Sequence, residues 1–147
     1  MKKGIDFIGV GVGAVIFNME GKVFLTQRGP NARNESGKWD FPGGAVEFGE
    51  KCENALIREV KEEFNIKIKV IKLLNLADHI IKNENQHWVS PSFITKLISG
   101  KAKIMEPDKC IATRWINLCD IEPNTLTKSS ESDFYKFKEK YGLNKTF

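Results

Sequence analysis

The stretch that most constrains the fold is residues 44–66, which read GAVEFGEKCENALIREVKEEFNI. Within it Leu56, Val60 and Phe64 recur at every fourth position, a spacing that is typical of the apolar face of an α-helix. This spacing predicts a helix from about Glu50 to Phe64. The sequence FPGG at residues 41–44 comes directly before, and its proline and two glycines predict a turn into the segment.

Three glutamates, Glu59, Glu62 and Glu63, stand at positions i, i+3 and i+4 of the predicted helix. Their carboxylates therefore share one helical face. Like charges at this spacing repel each other by only about a few tenths of a kcal/mol, so a solvated acidic face is an adequate explanation of the glutamates alone. A hard divalent cation would instead turn the repulsion into binding, because Mg2+ and Mn2+ prefer carboxylate oxygens.

The whole segment resembles the Nudix box, G-x5-E-x7-R-E-U-x-E-E-x-G-U, in which U is a bulky aliphatic residue. The matching positions are Gly44, Glu50, Arg58, Glu59, Val60, Glu62, Glu63 and Ile66. One position departs, because Asn65 stands where the family has glycine. Asparagine is the next-best residue to glycine for a left-handed helix C-cap, so we expect the helix to end there all the same.

The resemblance implies a fold and an activity. The implied fold is a Nudix α/β/α sandwich, and the sequence itself mixes strands and helices without strict βαβ alternation, which indicates an α+β protein with a mixed, partly antiparallel sheet. The length of 147 residues predicts a single domain, residues 1–147. The implied activity is metal-dependent hydrolysis of a nucleoside diphosphate linked to a group X, most specifically of a (d)NTP, modified or not, to a (d)NMP and pyrophosphate.

The resemblance also implies roles for the residues of the box. Glu59 and Glu63 would be the first ligands of Mg2+ or Mn2+, with Glu62 as a third and the backbone carbonyl of Gly43 as a fourth. Arg58 would pair with Glu50 and hold the loop and the helix in register. We expect Glu50 to act through this pair rather than as the general base, and the catalytic set is then Glu50, Arg58, Glu59, Glu62 and Glu63.

Substrate contacts are expected from residues outside the acidic face. The candidates are Arg28, Gly44, His87, Trp88, Glu106 and Asp108. Arg28 ends a predicted strand and could face a phosphate or water, and His87 and Trp88 are candidates for the base pocket or for core and surface positions. Relatives tend to carry an acid where this chain has Ile111, so Glu106 and Asp108 are the substitutes, and both could equally be solvated loop acids.

Two other readings of the activity stay open. Hydrolysis of a nucleotide sugar or another nucleoside-diphosphate derivative is one, although Ile81-Lys82-Asn83 carries neither the proline of the ADP-ribose branch nor the tyrosine of the dinucleoside-polyphosphate branch. A catalytically silent Nudix domain that binds nucleotides is the other, because a fold does not guarantee a function. The three mutually repelling glutamates argue against silence, since a silent domain would be free to lose them.

Composition narrows the choice of partners. The net charge of +4 and the pI of about 8.9 are too mild to predict nucleic-acid binding. The three cysteines have no C-x-x-C spacing, which argues against zinc and favours free thiols in the cytoplasm. No apolar stretch is long enough to predict a membrane span, and a homodimer is expected from the family resemblance alone.

Patterns along the rest of the chain predict the other elements. Residues 5–17 read as a central strand in which Gly9, Gly11 and Gly13 let a backbone or a ligand approach closely. Pro91 predicts a bulge or an edge position for the strand at 87–97. Short strands are expected at 45–48 and 101–105, and a C-terminal helix is expected to be capped within residues 130–133.

Overall fold

A computed structural model describes residues 1–147 of the chain. Seven strands form one mixed sheet in the order β3-β2-β1-β6-β5, with β4 paired to β1 and β7 paired to β2. The strands are β1 Gly9–Phe17, β2 Val23–Arg28, β3 Trp39–Asp40, β4 Gly43–Ala45, β5 Lys67–Ile81, β6 Gln86–Ser99 and β7 Cys110–Ile116. The helices are α1 Cys52–Phe64 and α2 Lys128–Tyr141, with 3-10 turns at Lys82–Glu84, Leu118–Asp120 and Pro123–Thr125.

Strand β1 is central, as the sequence predicts. It runs parallel to β6, with Gly13 opposite Ser92, and antiparallel to β2 and β4. Successive side chains of a strand point to opposite faces of the sheet. Val15 and Phe17 therefore lie in the core under α2, whereas Ala14 and Ile16 lie in the core under α1.

One helix covers each face of the sheet. Leu56, Val60 and Phe64 of α1 are buried against one face, and Phe134 and Phe137 of α2 are buried against the other. Burying one such side chain contributes roughly 1.5–3 kcal/mol, so these stripes hold both helices in place. The predicted α+β class and the α/β/α sandwich are confirmed, and neither helix is long and apolar enough to cross a membrane.

Both helices begin at residues other than those the sequence predicts. Helix α1 begins at Cys52 and not at Glu50. Helix α2 begins at Lys128, because Thr127 caps it by accepting a hydrogen bond from the Ser130 amide at 3.4 Å. Several hydroxyl residues stand in a row here, and the sequence pattern does not distinguish which one is the cap.

One predicted strand is shifted and another does not form. The short strand after the glycine turn is Gly43–Ala45 rather than residues 45–48. Residues 101–105 form no strand, because their backbone is bound to the end of α1: the amides of Lys103 and Met105 donate to the carbonyls of Phe64 and Glu63.

Pro91 does not mark an edge strand. Strand β6 lies between β1 and β5, so the predicted edge position is wrong. The pairing is irregular close to the proline: the β5 register shifts between Leu73 and Asn75, before Asn75 pairs with Ser92 and Leu76 with Pro91. A residue without an N–H is accommodated near such an irregularity.

Candidate active site

Arg58 ties the loop before α1 to the acidic face of the helix. Its Nε and NH2 groups donate to the two oxygens of Glu50 at 2.8 and 2.9 Å, and NH2 also donates to the carbonyl of Ala45 at 3.2 Å. Its NH1 group donates to Glu59 at 3.0 Å and to Glu62 at 3.2 Å. The hydrogen bonds from Arg58 lower the pKa of Glu50 to about 2. A planar guanidinium makes this forked contact, which an ammonium group could not reproduce.

Glu63 is a half-buried acid of the box. Burial, together with the neighbouring charges of Glu59 and Glu106, raises the pKa of its carboxyl to about 8. Glu62 differs, because 60% of its side chain is exposed. The acidic face therefore runs from water at Glu62 to a protected position at Glu63.

The two glycines of the turn are required by close approach. A Cβ atom on Gly44 would overlap the carboxyl group of Glu59, and one on Gly43 would overlap the carbonyl oxygen of Val12. Strand β4 can therefore lie directly against both α1 and β1 only with these residues. The consequence is that the Glu59 carboxylate lies on the backbone of the turn, with its side chain only 15% exposed.

A cavity lies on each side of this turn. The loop cavity, about 440 Å3, is lined by Thr26, Gln27, Arg28, Asn31, Ala32, Arg33, Asp40, Phe41, Pro42, Gly43, Glu63, Phe64, Glu106, Lys109 and Cys110. The strand cavity, about 360 Å3, is lined by Gly11, Val12, Gly13, Arg28, Asp40, Phe41, Gly43, Gly44, Ala45, Trp88, Ser90, Ser92, Ser129 and Asp133. Four residues, Arg28, Asp40, Phe41 and Gly43, line both. The two spaces therefore meet at the turn beside the acidic face.

Arg28 lies at this junction, but its guanidinium is already engaged. It donates to Asp40 at 3.2 Å, to the carbonyl of Asn34 at 2.9 Å and to the Asn34 side chain at 3.0 Å. Asp40 in turn accepts from Thr127 and Ser130 at the start of α2. Arg28 thus fixes the loop at 29–38 and α2 around the cavities.

His87 and Trp88 lie in different places. Trp88 lines the strand cavity, and its indole N–H donates to Gln86 at 2.9 Å. His87 lines a separate cavity beside the N-terminal residues and lies 3.4 Å from Asp78. Adjacent residues of a strand face opposite sides of the sheet, so the structure brings only one of the two to the site.

Glu106 and Asp108 are also separated. Glu106 lines the loop cavity together with Glu63 and lies 3.6 Å from Lys109. Asp108 lines neither cavity of the site, and half-exposed Ile111 packs beside Gly29. Only Glu106 of the two is close to the acidic face.

Sequence reasoning missed one buried acid of the site, Asp133. It lies in α2 one position before the apolar residue Phe134 and four before Phe137, so it faces the protein interior. An acid within the apolar stripe of the predicted helix is the signal that could have found it. Its neighbours Asn75 and Ser92 come from distant strands and leave no local signal.

The family assignment follows from comparison of the chain with known proteins. The family model described as NUDIX domain matches residues 8–137. The chain belongs to the Nudix family. The crystal structure of a MutT NUDIX hydrolase from Burkholderia pseudomallei superposes with a TM-score of 0.78 and 34% identity, over 87% of this chain and 96% of that chain. The MutT-like resemblance of the sequence is confirmed.

Curated Nudix relatives carry several different activities in their names. The 8-oxo-dGTP diphosphatase of Proteus vulgaris is 40% identical over 65 residues, 44% of this chain and 57% of that protein. An RNA pyrophosphohydrolase of Haemophilus influenzae is 32% identical over 143 residues, 90% of this chain and 64% of that protein. Other relatives are named 8-oxo-dGDP phosphatase and ADP-ribose pyrophosphatase. These names support the predicted class of Nudix pyrophosphohydrolase.

The chain spans only part of the length of several curated relatives. The chain spans 23% of a Nudix hydrolase of Caenorhabditis elegans and 33% of the 8-oxo-dGDP phosphatase of Danio rerio. Regions of those proteins that have no counterpart here can contribute to their activities. The site of this chain, rather than the names of its relatives, is therefore the guide to its substrate.

Nudix hydrolases generally use divalent metal ions, and the donor set of this chain fits such an ion. These ions prefer hard oxygen ligands. Such ligands are available from the carboxylates of Glu59 and Glu63 and from the backbone carbonyl oxygen of Gly43. As the side chains stand, no three acidic, histidine or cysteine groups converge closely enough to hold a metal. Arg58 holds one oxygen each of Glu59 and Glu62, and the second oxygen of each carboxylate would be the donor to an ion.

Proposed function

We propose that this Nudix domain hydrolyses nucleoside triphosphates, modified or not, to a nucleoside monophosphate and pyrophosphate with Mg2+ or Mn2+. The observation that carries the proposal is the junction of the two cavities beside Glu59 and Glu63. A nucleotide could place its nucleoside in one cavity and its terminal phosphates in the other, with the scissile bond at the acidic face. Such positioning supplies a large share of the catalysis of phosphoryl transfer.

The residues of the box divide the work. Glu59, Glu63 and the carbonyl of Gly43 would hold the cation, with the exposed Glu62 as a further ligand. A bound divalent cation lowers the pKa of water and neutralises charge on phosphate oxygens. Arg58 and Glu50 keep α1 at a fixed distance from the turn through their paired hydrogen bonds. Their contribution is to orient the ligands rather than to touch the substrate.

The loop cavity suits the terminal phosphates. Arg28, Arg33 and Lys109 bring positive charge to its lining, opposite the acids Glu63 and Glu106. The basic side chains would bind phosphate oxygens directly. The acids would instead bind a metal ion that the phosphates also coordinate. The strand cavity, with Trp88, three serines and four glycines in its wall, remains for the nucleoside.

A substrate panel tests the proposal. Wild-type protein with Mg2+ is assayed with the four ribo- and deoxyribonucleoside triphosphates, a nucleotide sugar, ADP-ribose and a 5′-triphosphorylated RNA oligonucleotide. We expect the fastest turnover with one or more triphosphates, and pyrophosphate rather than phosphate as the second product. Faster turnover of the sugar, the ADP-ribose or the RNA would contradict the substrate class while leaving a Nudix pyrophosphohydrolase.

The silent nucleotide-binding module remains the second candidate, and the same panel separates it. A silent domain would bind a nucleotide, as measured by calorimetry, but would release no product above background with any divalent ion. The protected position of Glu63 favours the enzyme, because a buried acid lowers stability and a binding module has no use for it.

A further inference from the structure

The loop between β4 and α1, residues 46–51, carries Glu50 and is mostly exposed. Phe48 at its tip lies entirely in water, and a Cβ atom on Gly49 would meet no atom within 4 Å. Packing at the tip therefore does not fix the conformation of this loop. It is held by polar contacts at its two sides, and Arg58 makes those on the helix side.

Lys3 makes the contacts on the other side of the loop. Its ammonium group donates to the carbonyl of Val46 at 3.1 Å and to the carboxylate of Glu47 at 2.8 Å. The amide of Glu47 in turn donates to Oε1 of Glu50 at 3.2 Å. A continuous line of hydrogen bonds thus runs from Lys3 through the loop to Arg58.

The turn formed by residues 2–7 fixes the position of Lys3. The carbonyl of Gly4 accepts a hydrogen bond from the His87 amide at 2.8 Å. Gly4 has a φ of 76° and lies against the indole of Trp88, which a Cβ atom would overlap. Glycine satisfies both the left-handed conformation and the close contact. Strand β6 therefore anchors the backbone that presents Lys3 to the loop.

The two acids of the loop are both ionised at neutral pH. The hydrogen bond and the charge of Lys3 lower the pKa of Glu47, and the hydrogen bonds from Arg58 lower the pKa of Glu50 to about 2. The charge of Arg58 also acts on Glu47, in the same direction as Lys3. Glu47 is therefore a second carboxylate within range of the guanidinium, and Lys3 occupies it.

Arg58 has no donor to spare for Glu47. A guanidinium has five N–H donors, and Arg58 makes five hydrogen bonds: two to Glu50, one to the carbonyl of Ala45, one to Glu59 and one to Glu62. Any contact with Glu47 would replace one of these. The Lys3–Glu47 pair itself is 35% and 63% exposed, and such pairs contribute little to stability. Its consequence lies in which carboxylates Arg58 holds.

We propose that Lys3 is a positioning residue of the active site, which neutralises Glu47 and so keeps Arg58 on Glu50 and the acidic face. The inference rests on the proposed function for its effect on turnover. Without Lys3, Glu47 competes for Arg58, and the loop and α1 lose their fixed register. A metal site depends on such indirect partners, because they orient the carboxylates that bind the ion.

Hydrogen exchange at the Arg58 Nε–H tests the proposal without metal or substrate. Nitrogen-15 NMR in EDTA resolves this group, since the chain has only three other arginines and Arg58→Lys identifies the signal. Lys3→Gln should accelerate its exchange roughly tenfold, because a hydrogen bond to a charged group is weakened. Lys2→Gln removes the same charge from an exposed neighbour and should change nothing. Equal exchange in Lys3→Gln and wild type would overturn the proposal.

Glu47→Gln separates competition from a merely structural role. If Glu47 competes for Arg58, Glu47→Gln alone should exchange like wild type, and the double variant Lys3→Gln/Glu47→Gln should recover. Lys3→Arg should also behave like wild type, because it retains the charge. A purely structural ion pair predicts equal acceleration in Lys3→Gln and Glu47→Gln and no recovery in the double variant. That result would overturn the proposal.

Turnover of a nucleoside triphosphate with Mg2+ supplies the second measurement. Lys3→Gln should lower kcat about three- to tenfold with little change in KM, somewhat less than the loss of a direct partner of a metal site. The double variant should regain kcat. Exchange that responds as expected in a protein without turnover would contradict the proposed function and leave Lys3 as the residue that keeps Arg58 in place. Normal turnover with unaltered exchange in Lys3→Gln would contradict the role of Lys3 alone.

Discussion

Two acids of this protein, Glu63 and Asp133, lie where the charged form is disfavoured. In both cases burial is the largest cause of the raised pKa. A carboxyl group that is shielded from water binds a cation or a donor pair more strongly than one in solution, because competing water is absent. The same burial makes the unliganded protein less stable when these groups ionise.

Glu63→Gln should separate activity from stability. Loss of a direct metal ligand should lower turnover by more than about a hundredfold, since even indirect partners of a metal site contribute about 10- to 100-fold. The raised folded pKa, about 8, means that the stability associated with protonated Glu63 is present below the ordinary carboxyl pKa and is lost as the pH rises through 8. The metal-free variant should therefore gain stability relative to wild type between pH 5 and pH 9, by about 2–4 kcal/mol at most.

Urea denaturation in EDTA across this pH range measures the effect. Glu62→Gln is the matched control, because the Glu62 side chain is 60% exposed and its carboxylate already lies in water. If the difference in free energy of unfolding between Glu63→Gln and wild type is the same at pH 5 and at pH 9, Glu63 is not shielded in solution.

Asp133→Asn should show the same sign over a lower pH range. Its folded pKa of about 6 lies above the ordinary value of 3.8. The wild-type protein is therefore more stable with Asp133 protonated, and it loses this stability as the pH rises through 6. Asp40 adds to this shift, whereas Asn75 and Ser92 oppose it. The melting temperature of the nucleotide-free variant should rise relative to wild type between pH 4.5 and pH 7.5, and a falling difference would contradict the burial of the charge.

At the scale of elements, the helix α1 and the turn before it behave as one unit. Arg58 binds Glu50 of the loop and Glu59 of the helix, and Gly44 lets the helix lie on the turn. In Arg58→Lys the ammonium group could keep one ion-pair contact but not the paired hydrogen bonds that the guanidinium makes. We expect kcat to fall about 10- to 100-fold with a smaller change in KM; a loss confined to KM would indicate instead that Arg58 binds substrate.

The end of α1 gives a second prediction at this scale. Asn65 has φ of 57° and ψ of 35°, and its amide donates to the carbonyl of Lys61. Asn65→Ala should lower the free energy of unfolding by about 1 kcal/mol, because a side chain with a Cβ and no local hydrogen bond is disfavoured in this conformation. Asn65→Gly should be neutral or slightly stabilising. Urea denaturation of both variants checks the prediction, and equal losses would contradict it.

The sequence predicted elements well where one local pattern decides them. The period of Leu56, Val60 and Phe64 predicts α1, and the glycine-rich alternation of residues 9–17 predicts the central strand. The prediction from sequence failed at residues 101–105. A few apolar residues there resemble a strand, but the backbone amides donate hydrogen bonds to carbonyls at the end of α1 instead. The prediction also misplaced the α2 cap, because Thr127, Ser129 and Ser130 are all chemically able to cap.

At the scale of the whole molecule, the candidate site is the meeting of two cavities at one turn. The acidic face could be predicted because a single segment carries it. The contacts that shape the strand cavity could not be predicted, because they join distant parts of the chain. Asp133 is 58 residues from Asn75 and 41 residues from Ser92. Of the paired candidates His87 and Trp88, only the strand register decides which one faces the site.

The expected homodimer belongs to this scale as well. Strand β5 forms one edge of the sheet, and an unpaired edge can pair with a second chain. Light scattering at several protein concentrations should give a mass near twice 16.7 kDa. A mass that stays near that of one chain would contradict the dimer without affecting the site.

The most direct test of the account is phosphorus NMR of one reaction mixture, dGTP with the protein and Mg2+. The account predicts that dGMP and pyrophosphate appear together, and that both are absent in excess EDTA and with Glu63→Gln at the same protein concentration. Equal rates of product formation by wild type and Glu63→Gln, or undiminished turnover in EDTA, would contradict it.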